Sequence, residues 1–96
     1  MINIGCDLES SKQSIEWTRK ENRIYGTVGV HPEFADLWDS NLENEIESLS
    51  KDEKIVAIGE IGLDYHWDDN PARELQRKCF EDQIEIAKKL NMPICI

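Results

Sequence analysis

The sequence predicts an α/β fold made of parallel β/α units, with about four strands and three helices in 96 residues. Two observations carry that expectation. Short β-branched runs alternate with segments of helical periodicity, the pattern of strands joined by helical crossovers. In addition, Ile24–Val30 and Ile55–Gly59 are mostly apolar and lack the strict polar alternation of a half-exposed strand. Such runs suit strands covered on both faces.

Taken in order, Met1–Gly5 reads as a short strand. Asp7 or Ser10 then caps a helix to about Asn22, with Ser10 and Gln13 at capping-box spacing. Its apolar positions are few: Leu8, Ile15 and Trp17. Ile24–Val30 is the second strand, stopped by Pro32, which has no backbone donor. Pro32–Trp38 reads as a loop. Ser40 and Glu43 form a second capping box, followed by Leu42, Ile46 and Leu49 at helical spacing. Lys54–Ile61 is the third strand, and 62–70 a loop. Pro71 marks a helix start. Leu75, Cys79, Phe80, Ile84, Ala87 and Leu90 form an amphipathic stripe that ends at Asn91. Met92–Ile96 begins a fourth strand.

Two of these strands end in side chains that carry chemistry. Glu60 follows the apolar run Ile55–Gly59. An unpaired carboxylate is costly to bury, so Glu60 needs a cation or several donors. Sheet enzymes place such groups at the carboxyl ends of parallel strands. His31 ends the other run in the same way. A histidine and a carboxylate on one rim make an ordinary ligand pair for a divalent ion. The plainer alternatives are a carboxylate paired with a base or capping a turn, and a histidine bonded to a backbone carbonyl.

The blocks VGVHPE (Val28–Glu33), VAIGEIGLDYHW (Val56–Trp67) and QRKCFEDQIEIAKKLNMPICI, with Gln76, Phe80 and Gln83, resemble the TatD family of metal-dependent hydrolases. Order and spacing agree across nearly the whole chain. The resemblance implies a TIM-type (β/α)8 barrel, divalent metals (Mg, Mn or Zn, one or two ions) and hydrolysis of phosphodiester bonds, with DNA as substrate. It implies that Glu60 is a metal ligand and catalytic. It also implies that His31 is catalytic and contacts substrate. Tyr65, His66 and Trp67 would face the substrate, with Trp67 able to stack on a base. Asp64 would hold the loop that carries Glu60. A plain turn role for Asp64 and loop packing for His66 and Trp67 remain the alternatives.

Family members also begin with a strand bearing His-x-His, and later strands supply two more histidines and an aspartate. This chain has two histidines, His31 and His66, and no His-x-His. Residues 1–96 therefore read as a single partial domain, resembling the second to fifth strands of the barrel. A complete barrel takes roughly 250 residues. The expectation is a chain that covers its open sheet as a homo-oligomer or with the remainder of a barrel. A metal-dependent amide or ester hydrolase of related architecture and a non-catalytic truncated oligomer are the competing readings.

The net charge of −9 argues against general duplex binding, for which basic surfaces are the rule. Bound cations can still supply local positive charge to a nuclease. Cys6, Cys79 and Cys95 show no Cys-x-x-Cys spacing, which points to a reducing, cytoplasmic setting. No apolar run approaches the ~20 residues needed to span a bilayer.

Overall fold

The computed structural model describes residues 2–66 and 69–96. Four strands, β1 (Ile2–Ile4), β2 (Tyr25–Val28), β3 (Ile55–Gly59) and β4 (Ile94–Cys95), form one sheet in the order β1-β2-β3-β4. Every neighbouring pair is parallel. Helices α1 (Leu8–Lys20), α2 (Ser40–Ser50) and α3 (Arg73–Leu90) make the crossovers. Sequential strand order with parallel pairing is the arrangement of a (β/α)8 barrel wall. A doubly wound sheet would reverse its order at a switch point.

The strands are shorter than their apolar runs. Ile24–Val30 forms ladder only to Val28, and Lys54–Ile61 only from Ile55 to Gly59. Beyond those points the backbone bonds elsewhere. Val30 pairs with the side chain of Gln83, and Glu60 N–H donates to Gly5 C=O at 2.6 Å.

At the helix starts, α1 takes the first of its two expected caps, while α2 and α3 differ by a residue or more. Asp7 caps α1: its Oδ1 accepts from Ser10 N at 2.8 Å, and Ser10 Oγ accepts from Asp7 N at 3.0 Å. Asp39, not Ser40, caps α2 by accepting from Leu42 N at 2.8 Å. In both cases a carboxylate reaches the third amide, and its charge suits the positive helix end. Pro71 lies outside α3, whose N-cap is Ala72 and has no side-chain cap bond. The expected loop after Pro32 is instead a 3-10 helix over Pro32–Leu37. Asn91 does close α3, in the left-handed conformation (φ 54).

The helix faces differ more. α1 buries Ser11, Ser14, Ile15 and Thr18, while Trp17 is exposed. A Cβ at Gly26 of β2 would collide with Ser14 Oγ, so a small hydroxyl sits where a larger apolar side chain would not fit. On α3, Cys79 and Ala87 are buried as expected, and Phe80, Ile84 and Leu90 pack against the core. Leu75 is exposed, and the deepest positions go to Gln76 and Gln83.

The core lies between sheet and helices: Ile15, Val28, Val30, Ala35, Ile46, Ile55, Ile58, Ile61, Cys79, Ile86 and Ala87. Gly26 faces α1, so its neighbours Tyr25 and Thr27 face the other way. Ile2 and Ile4 pair with Tyr25 and Thr27 and share that second face. Ile2, Ile4 and Tyr25 are all exposed there.

Candidate active site at the strand ends

The carboxyl ends of β1, β2 and β3 converge. Gly29 makes this possible: a Cβ there would lie 2.8 Å from the backbone C and O of Gly59. The Thr27 hydroxyl ties all three strands together, accepting from Gly5 N at 3.2 Å and donating to Gly59 O at 3.0 Å. His31 N donates to Cys6 O at 2.6 Å. The rim therefore carries Cys6, His31 and Glu60 on adjacent strand ends. A Cβ at Gly59 would meet Cys95 Cβ of β4 at 2.5 Å, so this glycine serves strand packing. The Gly59–Glu60 peptide bond is cis.

His31 and Glu60 meet directly, with Nε2 and Oε2 3.3 Å apart. Their side chains are 24% and 41% exposed, so the pair is open to a ligand. His31 also caps the 3-10 helix: its Nδ1 accepts from Glu33 N at 3.1 Å. A neutral imidazole carries one proton, and an accepting Nδ1 assigns it to Nε2. The Nε2–H thus faces Glu60. In this tautomer Nε2 is a donor and not a lone pair for a metal. Glu60 thus offers a hard carboxylate oxygen, and His31 offers a hydrogen-bond donor beside it.

Asp64, Tyr65 and His66 extend along the loop after Glu60. Asp64 Oδ1 accepts from His66 N at 3.1 Å, closing a local turn. The loop is held through the Asp64 backbone instead, whose N and O both bond the Gln76 amide, at 2.7 and 2.9 Å. Tyr65 is exposed and lies under the Arg73 guanidinium, 4.5 Å from the ring centroid. Trp67 lies outside the described residues. Among the described residues no group of three or more His, Cys, Asp or Glu side chains could hold a metal ion. Glu60 suits a hard divalent ion as one ligand, and a shell of four to six needs further donors.

An apolar cavity of about 290 Å³ lies elsewhere, lined in part by Leu8, Val30, Phe34, Leu37 and Leu42. It includes neither His31 nor Glu60.

A family model described as TatD related DNase matches residues 1–96. The chain belongs to this family. Among its TatD relatives is the "uncharacterized metal-dependent hydrolase YabD" of Bacillus subtilis (strain 168), 40% identical over 97 residues. That match spans all of this chain and 37% of the relative. The "3'-5' ssDNA/RNA exonuclease TatD" of Escherichia coli (strain K12) is 36% identical over 98% of this chain and 36% of that protein. The crystal structure of YJJV, a TatD homologue from Escherichia coli K12, superposes with a TM-score of 0.87 at 25% identity. It covers 97% of this chain and 36% of that one. The chain thus spans little more than a third of the proteins it resembles. It matches the fold of a TatD homologue over that stretch, as a run of TIM-type β/α units.

His31 and Glu60 were legible in the sequence, and Gln76 and Gln83 were expected to orient α3 against neighbouring loops, which their bonds to Val30 and Asp64 bear out. Gln76 and Gln83 matched the family pattern without an account of their chemistry. The available signal was two amides seven residues apart on the face of α3 that also carries Cys79 and Ala87.

Proposed function

We propose that this chain carries part of the active site of a metal-dependent phosphodiesterase acting on single-stranded nucleic acid, DNA foremost. The observation that carries the reading is the His31–Glu60 pair, 3.3 Å apart at the ends of neighbouring parallel strands. The names of the TatD relatives supply the substrate class. Glu60 holds a divalent ion (Mg, Mn or Zn), with its remaining ligands contributed from outside the described residues. The chemistry such an ion supplies when bound is a lowered pKa for attacking water and polarisation of a phosphoryl oxygen. When Glu60 turns its carboxylate to the ion, the Nε2–H of His31, which faces Glu60 in the free chain, becomes available to a non-bridging phosphate oxygen and offsets charge as it builds there. Tyr65, with Arg73 over its ring, offers a stacking surface and a positive charge to the strand, and His66 lines the same loop. Asp64 keeps the loop turned. The open sheet face is covered by a second copy or by further β/α units.

Cleavage of labelled single-stranded DNA with Mn²⁺, with chelator and Glu60→Gln controls, tests this reading. Cleavage lost in both controls supports it. Cleavage that survives Glu60→Gln removes Glu60 from the chemistry. A folded wild-type chain that neither cleaves nor binds Mn²⁺ removes the activity from this chain.

A further inference from the structure

We propose that Gln83 and Gln76 are positioning residues that set His31 and Glu60 in register, an inference that rests on reading that pair as the reacting centre. Both side chains are almost wholly buried, Gln76 1% and Gln83 0% exposed. Each spends its amide on both backbone groups of one residue, as a neighbouring strand would. Gln83 Oε1 accepts from Val30 N at 2.8 Å, and its Nε2 donates to Val30 O at 3.1 Å. Gln76 treats Asp64 in the same way and also donates to Pro71 O at 2.9 Å.

The residues they grip lie just past the strand ends. Val30 immediately precedes His31, and Asp64 follows Glu60 on its loop. There the sheet ladder has stopped and the backbone needs other partners. An apolar side chain would fill either position without supplying them. A buried amide left unpaired is costly, so each glutamine is stable only while its loop stays in place. Seven residues along a helix is about 10.5 Å and nearly two full turns, which puts both amides on one face. α3 thus acts as a ruler whose two marks hold the loops carrying the two reacting side chains.

The test is the tautomer of His31, read from its ring-nitrogen resonances at alkaline pH. His66, the only other histidine, is the internal reference. In the wild type, Nδ1 and Nε2 are well separated, as one fixed tautomer requires. In Gln83→Leu that separation collapses toward the averaged value, while His66 is unchanged. Ile86→Ala, a buried substitution on the same helix with no bond to either loop, destabilises the fold but keeps the His31 pattern. If Gln83→Leu does not fold, Gln83→Glu takes its place: it keeps an acceptor for Val30 N–H and loses the donors. A wild-type His31 pattern in a folded Gln83 variant overturns the proposal, as does an equal collapse in Ile86→Ala. Failure of the nuclease reading looks different: a fixed His31 tautomer in a wild-type chain that binds no Mn²⁺.

Discussion

Glu60 and Cys79 show how differently two ionisable side chains are used in one chain. Glu60 is partly exposed and, among the described residues, pairs with His31 at 3.3 Å, so its carboxylate is open to a cation. Glu60→Gln keeps shape and removes charge. Calorimetry should show Mn²⁺ affinity falling at least about tenfold, since a metal ligand is lost outright. Unchanged affinity would mean the ion sits elsewhere. Cys79 is buried beneath Val30, and burial pushes its thiol up from 9.0 to about 12, with the Gln83 contact working in the opposite direction. The native chain therefore keeps this proton at pH values where the unfolded chain has lost it. The stability it contributes is complete below pH 9.0 and is lost as pH rises toward 12. Urea midpoints should fall more steeply with alkalinity in wild type than in Cys79→Ala. Parallel slopes would show that the thiol is not the group responsible.

Among the elements, the strands are positioned less by their length than by what passes between them. β2 and β3 touch at Gly29 and Gly59, backbone against backbone. Gly29→Ala places a methyl group 2.8 Å from Gly59 carbon and oxygen, neither of which can swing aside. The strand ends must then part, at a cost of about 1–3 kcal/mol, and His31 must move away from Glu60. Chemical denaturation would read the first effect and the His31 ring resonances the second. A variant as stable as wild type would mean the rim is softer than its packing implies. The α1 cap is a milder case. Asp7→Ala removes the carboxylate that accepts from Ser10 N, leaves the residue-7 N–H on Ser10 Oγ, and should lower the urea midpoint by an amount worth about 1 kcal/mol.

At the scale of the whole chain, an apolar sheet face and a large negative charge oppose each other. Ile2, Ile4 and Tyr25 lie open on the face away from the helices, and β1 and β4 are the outer strands of the sheet among the described residues. Burying that face favours association, whereas −9 on each copy resists it. Salt screens the repulsion over about 10 Å at 0.1 M and leaves apolar attraction in place. Sedimentation should therefore show a monomer at low salt and a growing dimer as salt rises, with Ile4→Lys holding the monomer. A salt-independent monomer at all concentrations would show that the sheet face is not sticky enough to matter.

Much of this was legible in one dimension. Apolar β-branched runs interrupted by amphipathic segments determined the parallel α/β class. The side chains just past the strand ends, His31 and Glu60, were legible too, although the ladders stop at Val28 and Gly59, short of the expected Val30 and Ile61. These are local properties, carried by periodicity and by residues with one dominant conformational use. Three other features depended on contacts between segments far apart in the chain. Ser11 and Ser14 face the sheet because glycines, Gly5 after β1 and Gly26 in β2, stand opposite them where a side chain would collide. Leu75 gives way to Gln76, and Gln83 takes the depth expected of a leucine. Neither choice follows from hydropathy, because an amide is buried only where a backbone waits with matching donors and acceptors. Those partners, Val30 and Asp64, come from loops 53 and 12 residues away in sequence, and only the folded chain brings them to α3.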